Sequence, residues 1–249
     1  MIKIELNSIY NEDCLEGMKR IPDGSVDMIL CDLPYGTTAC KWDTIIPLEP
    51  LWEQYNRIIK DNGAIVLTAN QPFTSALVMS NPKGYKHSWI WDKVRGVGFQ
   101  VAKYRPMSSH EDVLVFSKKG MRVNYYPIKE KLDKPKRSKI YSKSDSNPLA
   151  YNDGKTRTYT HRNPKTIITF SNASQKGKVH PTQKPVPLFE YLIKTYTNEG
   201  ETVLDNCMGS GTTAIACLNA NRNFIGFELD KGYFDIANER IDKHKQKLK

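Results

Sequence analysis

The chain has 249 residues, 39% of them hydrophobic, and a formal net charge of +10, enough for one α/β domain with an insertion or a small second lobe. It has no run of about 18 consecutive apolar residues, and Met1-Ile2-Lys3-Ile4-Glu5 lacks a signal-peptide build, so a cytoplasmic protein without a membrane span is expected. The five cysteines (Cys14, Cys31, Cys40, Cys207, Cys217) include no C-x-x-C pair, which argues against a zinc site or a disulfide framework; no metal is expected.

In chain order, Ser8-Ile9-Tyr10 reads as a strand, Cys14 to Arg20 as a short helix and Pro22-Asp23-Gly24 as a turn. Val26 to Cys31 is an apolar run suited to a buried strand, and it delivers Asp32-Leu33-Pro34-Tyr35-Gly36. Leu48 to Lys60 has helical spacing at Leu51, Tyr55, Ile58 and Ile59, with a stop expected at Asp61-Asn62-Gly63. Ala64-Ile65-Val66-Leu67 predicts a strand covered on both faces, and Gln71 to Met79 predicts another helix. Ser88 to Trp91 and Asp112 to Phe116 are the next strands, joined by a loop carrying Arg95-Gly96-Val97-Gly98. His110-Glu111 at the start of the second strand reads as structural or solvated, and Trp42, Trp89 and Trp91 as packing residues.

After Gly120 the periodicity fades. From Lys118 to Lys178 there are 16 Lys plus Arg against 4 Asp plus Glu, a balance of +12, so the remainder of the chain totals −2. Tyr125, Tyr126, Tyr141, Tyr151 and Tyr159 are interleaved with Ser, Thr and Asn, a mixture suited to phosphates and base edges. Pro187 to Thr195 reads as a helix. Thr202-Val203-Leu204 is a strand ending at Asp205, followed by Gly209-Ser210-Gly211-Thr212-Thr213-Ala214 and a helix beginning with Ala214 to Leu218. Phe224 to Phe227 is a strand ending at Glu228, and Tyr233 to Lys249 a final amphipathic helix.

Two segments carry chemistry. In Asp32-Leu33-Pro34-Tyr35, Pro34 fixes its own φ and pushes Leu33 towards extended backbone. The Leu33 carbonyl and the Asp32 carboxylate then offer two acceptors for the two N–H donors of an exocyclic amine, while Tyr35 stacks on a flat ring. The second segment, strand, Gly-rich turn, helix, strand and acidic residue, has the order of a nucleotide-binding βαβ unit, with Glu228 placed to accept from ribose hydroxyls.

Together these segments resemble the amino-group DNA methyltransferases that use S-adenosylmethionine. Asp32-Leu33-Pro34-Tyr35 resembles their catalytic motif, usually written Asp-Pro-Pro-Tyr, with Leu33 in place of the first proline. Asp205 through Gly211 resembles the cofactor loop, and Asn11-Glu12-Asp13-Cys14-Leu15 the strand end that contacts adenine. His180-Pro181-Thr182-Gln183-Lys184-Pro185 resembles the segment that walls the methionine end. The resemblance implies a Rossmann-like methyltransferase fold, α/β and doubly wound with a mostly parallel sheet, circularly permuted as in the family's β group. It implies a catalytic half at 1–117, a basic target-recognition insert at 118–178 and a cofactor half at 179–249. It further implies that Asp32, Leu33, Pro34 and Tyr35 act on the base. Asp13, Cys14, Thr182, Lys184, Asp205, Gly209, Gly211, Thr212 and Glu228 would bind S-adenosylmethionine.

By the same resemblance the substrate is duplex DNA with a flipped base. Asp at the head of the motif points to N6 of adenine, with N4 of cytosine as the alternative. The absence of a Pro-Cys pair argues against methylation at cytosine carbon-5. A nicotinamide dehydrogenase would leave the 32–35 motif and the basic segment unexplained. A methyltransferase for glutamine side chains would typically carry Asn at position 32. RNA methylation and a DNA-binding protein with an inactive methyltransferase fold are the remaining rivals. A homodimer, restriction–modification and phage self-protection are all compatible with the chain.

Overall fold

A computed structural model describes residues 4–36, 43–139, 156–172 and 183–248. In chain order the elements are β1 (Ser8–Tyr10), α1 (Cys14–Met18), β2 (Val26–Cys31), α2 (Leu48–Ile58), β3 (Ile59–Ala69), α3 (Phe73–Ser80), β4 (Tyr85–Val97), a 3₁₀ turn (Phe99–Val101) and β5 (Ser108–Phe116). They continue with β6 (Glu130–Lys139), β7 (Thr156–Arg162), β8 (Ile167–Thr169), α4 (Val186–Tyr196), β9 (Thr202–Asp205), α5 (Thr212–Asn219), β10 (Asn223–Phe227) and α6 (Lys231–Leu248). The chain divides into two compact units, one formed by Met1–Tyr126 with Thr166–Lys249 and the other by Pro127–Lys165.

The larger unit is built on an eight-stranded sheet of order β1-β10-β9-β2-β3-β5-β4-β8. The first five strands in that order run parallel. β5 is antiparallel to both β3 and β4, and β8 lies parallel to β4. Helices cover both faces, which accounts for the unbroken apolar runs. Along β3, Ala64 and Val66 enter one core with α4, α5 and α6, while Ile65 and Leu67 enter the other with α1, α2 and α3. This is a doubly wound, mostly parallel α/β sheet, the Rossmann-like architecture expected. Among the described residues, no helix is long and apolar enough to cross a membrane.

β2 pairs in parallel with β9 at Met28↔Val203 and Ile29↔Leu204, although 175 positions separate each pair in the chain. Asp27 reinforces this seam by accepting the Thr202 N–H at 2.9 Å while its other oxygen takes Lys60 Nζ at 2.5 Å. On the far side of the sheet, Trp89 Nε1 donates to the Tyr196 hydroxyl at 2.7 Å and links β4 to α4. Trp89 and Trp91 are both buried; Trp42 lies outside the described residues.

Three local expectations need correction. Asp61-Asn62-Gly63 does not stop a helix; α2 ends at Ile58 and the chain passes directly into β3. Lys118 pairs with Asp61 at 3.0 Å and the Asn62 carbonyl accepts from the Asn124 N–H at 2.8 Å, so these polar residues are satisfied within a strand. Gly63 is needed for close packing, because a Cβ there would lie 2.6 Å from Ile59 Cγ1 and 2.8 Å from the Asp27 carbonyl. The Arg95-Gly96-Val97 stretch also belongs to β4, which pairs with β5 again at Val97↔Ser108 after an irregularity that begins at Asp92. Third, the aperiodic basic segment contains regular structure: β6 and β7 form an antiparallel ribbon in the smaller unit, from Glu130↔Arg162 to Lys139↔Thr156. Every residue of β7 is exposed. A ribbon with no buried face leaves no period-two pattern to read.

Tyr125 and Tyr126 belong to the larger unit. Tyr125 packs its ring 6.1 Å from that of Tyr196, and Tyr126 accepts a hydrogen bond from Asn198 at 2.6 Å. Tyr159 is exposed on β7, and Tyr141 and Tyr151 lie outside the described residues.

At Gly17, α1 meets β10 without clearance: an added Cβ would stand 2.2 Å from Cε1 of the buried Phe227 ring. Gly17→Ala is expected to cost about 1–3 kcal/mol through overpacking. Thermal unfolding should show the midpoint falling by roughly 3–10 °C.

Candidate active site

The carboxyl ends of the parallel strands open into a cavity of about 860 Å³, towards the upper end of the usual size of ligand pockets. Its lining carries eight carboxylates against three lysines, so the field inside attracts cations. Each strand end contributes one functional group: Asp32 after β2, Asp205 as the last residue of β9, Glu228 after β10 and Asp13 shortly after β1.

The turn after β2 is held from below and from the side. Leu33 is buried in the second core among the residues of α2 and α3, so packing anchors the position where a ring would otherwise stiffen the chain. Gly36 adopts φ +66°, and its N–H donates to Asp43 at 2.8 Å. Tyr35 packs its ring 5.3 Å from Phe73, and its hydroxyl donates to Asp32 Oδ1 at 2.7 Å. Burial, with the Asp32 charge behind it, pushes the Tyr35 phenol well above its usual range, so it remains a donor. Thr68, one strand over on β3, also donates to Oδ1.

The second oxygen of Asp32 accepts from Lys184 Nζ at 2.7 Å. Lys184 thus lies against the carboxylate of the 32–35 motif while also lining the cavity expected for the cofactor. Burial alone would lower its ammonium, but Asp32 and Glu111 outweigh that and hold it above its usual value. Glu111 Oε2 stands 3.3 Å from Lys184 Nζ, and Glu111 Oε1 takes Lys93 Nζ at 3.2 Å. Four charges therefore alternate from Lys93 to Glu111 to Lys184 to Asp32, and both lysines are buried. Thr68, Lys93 and Glu111 were not anticipated as site residues. In sequence a Glu at a strand start is ordinarily solvated, and nothing local distinguishes Lys93.

Around the glycine turn, Asp205 is buried and serves the loop itself. It accepts from the Cys207 N–H at 3.0 Å and from the Thr213 hydroxyl. Gly209 (φ +54°) and Gly211 (φ +83°) take left-handed backbone that other residues rarely adopt. At Gly211 an added Cβ would also meet Ala237 Cβ at 3.3 Å, so the glycine lets α5 pack closely on α6. Glu228 is pinned by two backbone donors, Gly209 N–H at 2.7 Å and Asp230 N–H at 2.8 Å. Burial raises its carboxyl above the usual range, and those two bonds oppose the rise.

Asp13 spends Oδ1 on the N-cap of α1, accepting from Leu15 N–H at 2.8 Å and Glu16 N–H at 3.2 Å. Cys14 accepts weakly from Asn206 Nδ2 at 3.5 Å, and its thiol is pushed up, first by contact with Cys207 and then by burial. Thr212 donates to the Lys184 carbonyl at 3.5 Å, and Ser210 donates to Gln183 at 3.2 Å, which ties the glycine turn to the 183–184 segment. Thr182 lies outside the described residues. The remaining twelve predicted site residues all border the one cavity except Gly211, which shapes the turn beneath it.

Burial pushes Asp205 from the ordinary 3.8 up to about 6. Between those values the folded protein keeps a proton that the unfolded chain has lost, so this group's contribution to stability falls as pH rises through the window. Relative to Asp205→Asn, the wild type should lose about 2–3 kcal/mol between pH 4 and pH 6.5. Urea unfolding of both proteins across that range checks the sign.

Residues 26–239 match a protein family described as DNA methylase, of the N6/N4 type. The Type II methyltransferase M1.MboII of Moraxella bovis is 30% identical over 259 residues, covering 94% of this chain and 96% of that protein. The Type II methyltransferase M.HpaI of Haemophilus parainfluenzae is 29% identical over 243 residues, covering 92% of this chain and 72% of that protein. Among solved structures, the M1.HpyAVI–SAM complex superposes with a TM-score of 0.66 at 26% identity, covering 94% of this chain and 98% of that one. The cytosine-N4-specific PvuII DNA methyltransferase shares the fold at a TM-score of 0.66 and 17% identity, covering 99% of this chain and 93% of that one. Because the family match takes in the strand that leads to Asp32 and the turn that follows Asp205, this protein belongs to the N6/N4 amino-group DNA methyltransferases, whose methyl donor is S-adenosylmethionine.

Proposed function

We propose that the protein methylates the N6 amine of adenine in duplex DNA, on a base rotated out of the stack. One observation carries this reading: Asp32 and Tyr35 border the same acidic cavity as the glycine turn, because β2 and β9 are neighbours. At about 860 Å³ that cavity has room for a cofactor and a base together, and an amine inside the duplex could not reach it.

The chain's residues suit S-adenosylmethionine, which brings a cationic sulfonium, an ammonium and a ribose diol to a site rich in carboxylates. Glu228, preoriented by two backbone N–H groups, would accept from the ribose hydroxyls. Asp13 and Cys14 would meet the adenine end. Asp205 would shape the Gly209–Thr212 turn around the methionine portion, and Lys184, with Thr182 before it, would form the opposite wall. When bound, the cofactor supplies an electrophilic methyl group.

The protein's task is then alignment. Asp32 and the Leu33 carbonyl accept the two protons of the amine, which points its lone pair along the line of attack. Tyr35 stacks on the ring, and Pro34 keeps the turn extended. In-line placement at roughly 3–3.5 Å can contribute about 7–11 kcal/mol. Adenine is preferred over cytosine because Asp32 heads the motif. The 118–178 segment is assigned to target recognition in a permuted chain, between a catalytic half at 1–117 and a cofactor half at 179–249. Its exposed basic ribbon is suited to phosphates, so binding should weaken steeply with salt. The Type II names of the relatives make restriction–modification, in the cytoplasm, the natural setting.

The test incubates purified protein with S-adenosylmethionine and mixed-sequence duplex DNA, then digests the DNA to nucleosides for mass spectrometry. N6-methyladenine is expected; N4-methylcytosine would keep the mechanism and change the base. Asp32→Ala should lower kcat by at least about a hundredfold while the Kd for S-adenosylmethionine stays within about threefold. Glu228→Gln should weaken that Kd by about 10- to 100-fold, the worth of a charge-assisted hydrogen bond; unchanged affinity by calorimetry would remove the ribose role.

A further inference from the structure

Among the described residues, Oε2 of Glu111 is the one buried side-chain oxygen or nitrogen that makes no hydrogen bond. It lies 3.3 Å from Lys184 Nζ, close enough for an ion pair but outside hydrogen-bond geometry. Lys184 donates instead to Oδ2 of Asp32 at 2.7 Å, and its ammonium stands 5.8 Å from the centroid of the Tyr35 ring. Oδ1 of Asp32 already accepts from Tyr35 and Thr68. A buried ammonium therefore competes for the oxygen that the base amine needs, taking one of its two acceptor positions beside the ring on which the base is to stack.

We propose that Lys184 is a movable counter-ion and that Glu111 is its receiving site. With no base present, Nζ holds Oδ2 of Asp32. As the amine docks on Oδ2, Nζ passes to Oε2 of Glu111. The proposal rests on the amino-methylation reading and adds Lys184 and Glu111 as positioning residues that act through Asp32.

Three physical reasons support the move. It turns the ion-pair contact at Oε2 into a hydrogen bond, which a buried acceptor otherwise lacks. It is short, since Nζ is already within ion-pair reach of both carboxylates, and no charge is left alone in a low-dielectric site at either end. It also withdraws a cation from an amine that becomes positive as it gains the methyl group, where like charges in contact would raise the barrier. Lys93 on Oε1 keeps Glu111 in place throughout.

Because Lys184 also lines the cofactor wall, the test uses single-turnover methylation, at S-adenosylmethionine saturating for each variant, of a duplex carrying the site mapped by nucleoside analysis, with calorimetric binding of S-adenosylmethionine as the folding control. Glu111→Gln keeps the shape but removes the receiving charge, so Lys184 stays on Asp32. The methyl-transfer rate should fall at least tenfold, with cofactor affinity within about threefold of wild type; a smaller loss overturns the proposal. Adding Lys184→Met to that variant frees Asp32 and should recover at least about fivefold over Glu111→Gln alone. A double variant no faster than the single makes Glu111 a fixed brace and also overturns it. If Glu111→Gln fails to bind the cofactor, Lys184→Met alone decides: a rate above about a tenth of wild type supports the movable counter-ion, and a lower rate overturns it. A wild type that transfers no methyl group to DNA overturns the underlying amino-methylation reading instead.

Discussion

The site depends on the parallel pairing of β2 with β9. Those two strands come from opposite ends of the chain, yet their contact at Met28↔Val203 and Ile29↔Leu204 brings Asp32 and Asp205 to the same, carboxyl end of the sheet. In a doubly wound sheet the strand ends leave a crevice there, because the connections depart in different directions. Asp27 stitches the base of the seam by capturing the Thr202 N–H. A base-binding turn and a cofactor turn thus share one cavity without any sequence proximity.

That cavity concentrates charge in a setting where charge is costly. Lys93, Glu111, Lys184 and Asp32 alternate in sign, so each buried ion has an opposite neighbour. Removing water from such ions carries a penalty that only close pairing offsets. The arrangement is therefore better understood as orientation of Asp32 than as a source of stability. The glycine turn follows the same logic with partial charges: Asp205 organises the loop from beneath, and backbone N–H groups aim Glu228.

Leu33 illustrates how packing can replace covalent stiffness. The family's usual motif places proline there, whereas here a buried leucine sinks into the second core and pins the backbone by contact. Gly36, with its left-handed φ and the bond from its N–H to Asp43, closes the turn on the other side. The carbonyl at position 33 can then be positioned without a ring.

The sequence by itself determined the strands that carry the motifs, the glycine turn and the acidic strand ends. Buried parallel strands leave unbroken apolar runs such as Val26 to Cys31, and tight turns leave glycine where no other residue fits. Where no face is buried the pattern vanishes, as along β7, and the exposed Lys60-Asp61-Asn62 near the start of β3 reads as a helix stop. Only the tertiary structure decided the partners of Asp32. Thr68, Lys184 and, through it, Glu111 and Lys93 arrive from four separate segments. A charged side chain looks the same in sequence whether solvent surrounds it or a buried counter-ion holds it, so that distinction belongs to the fold.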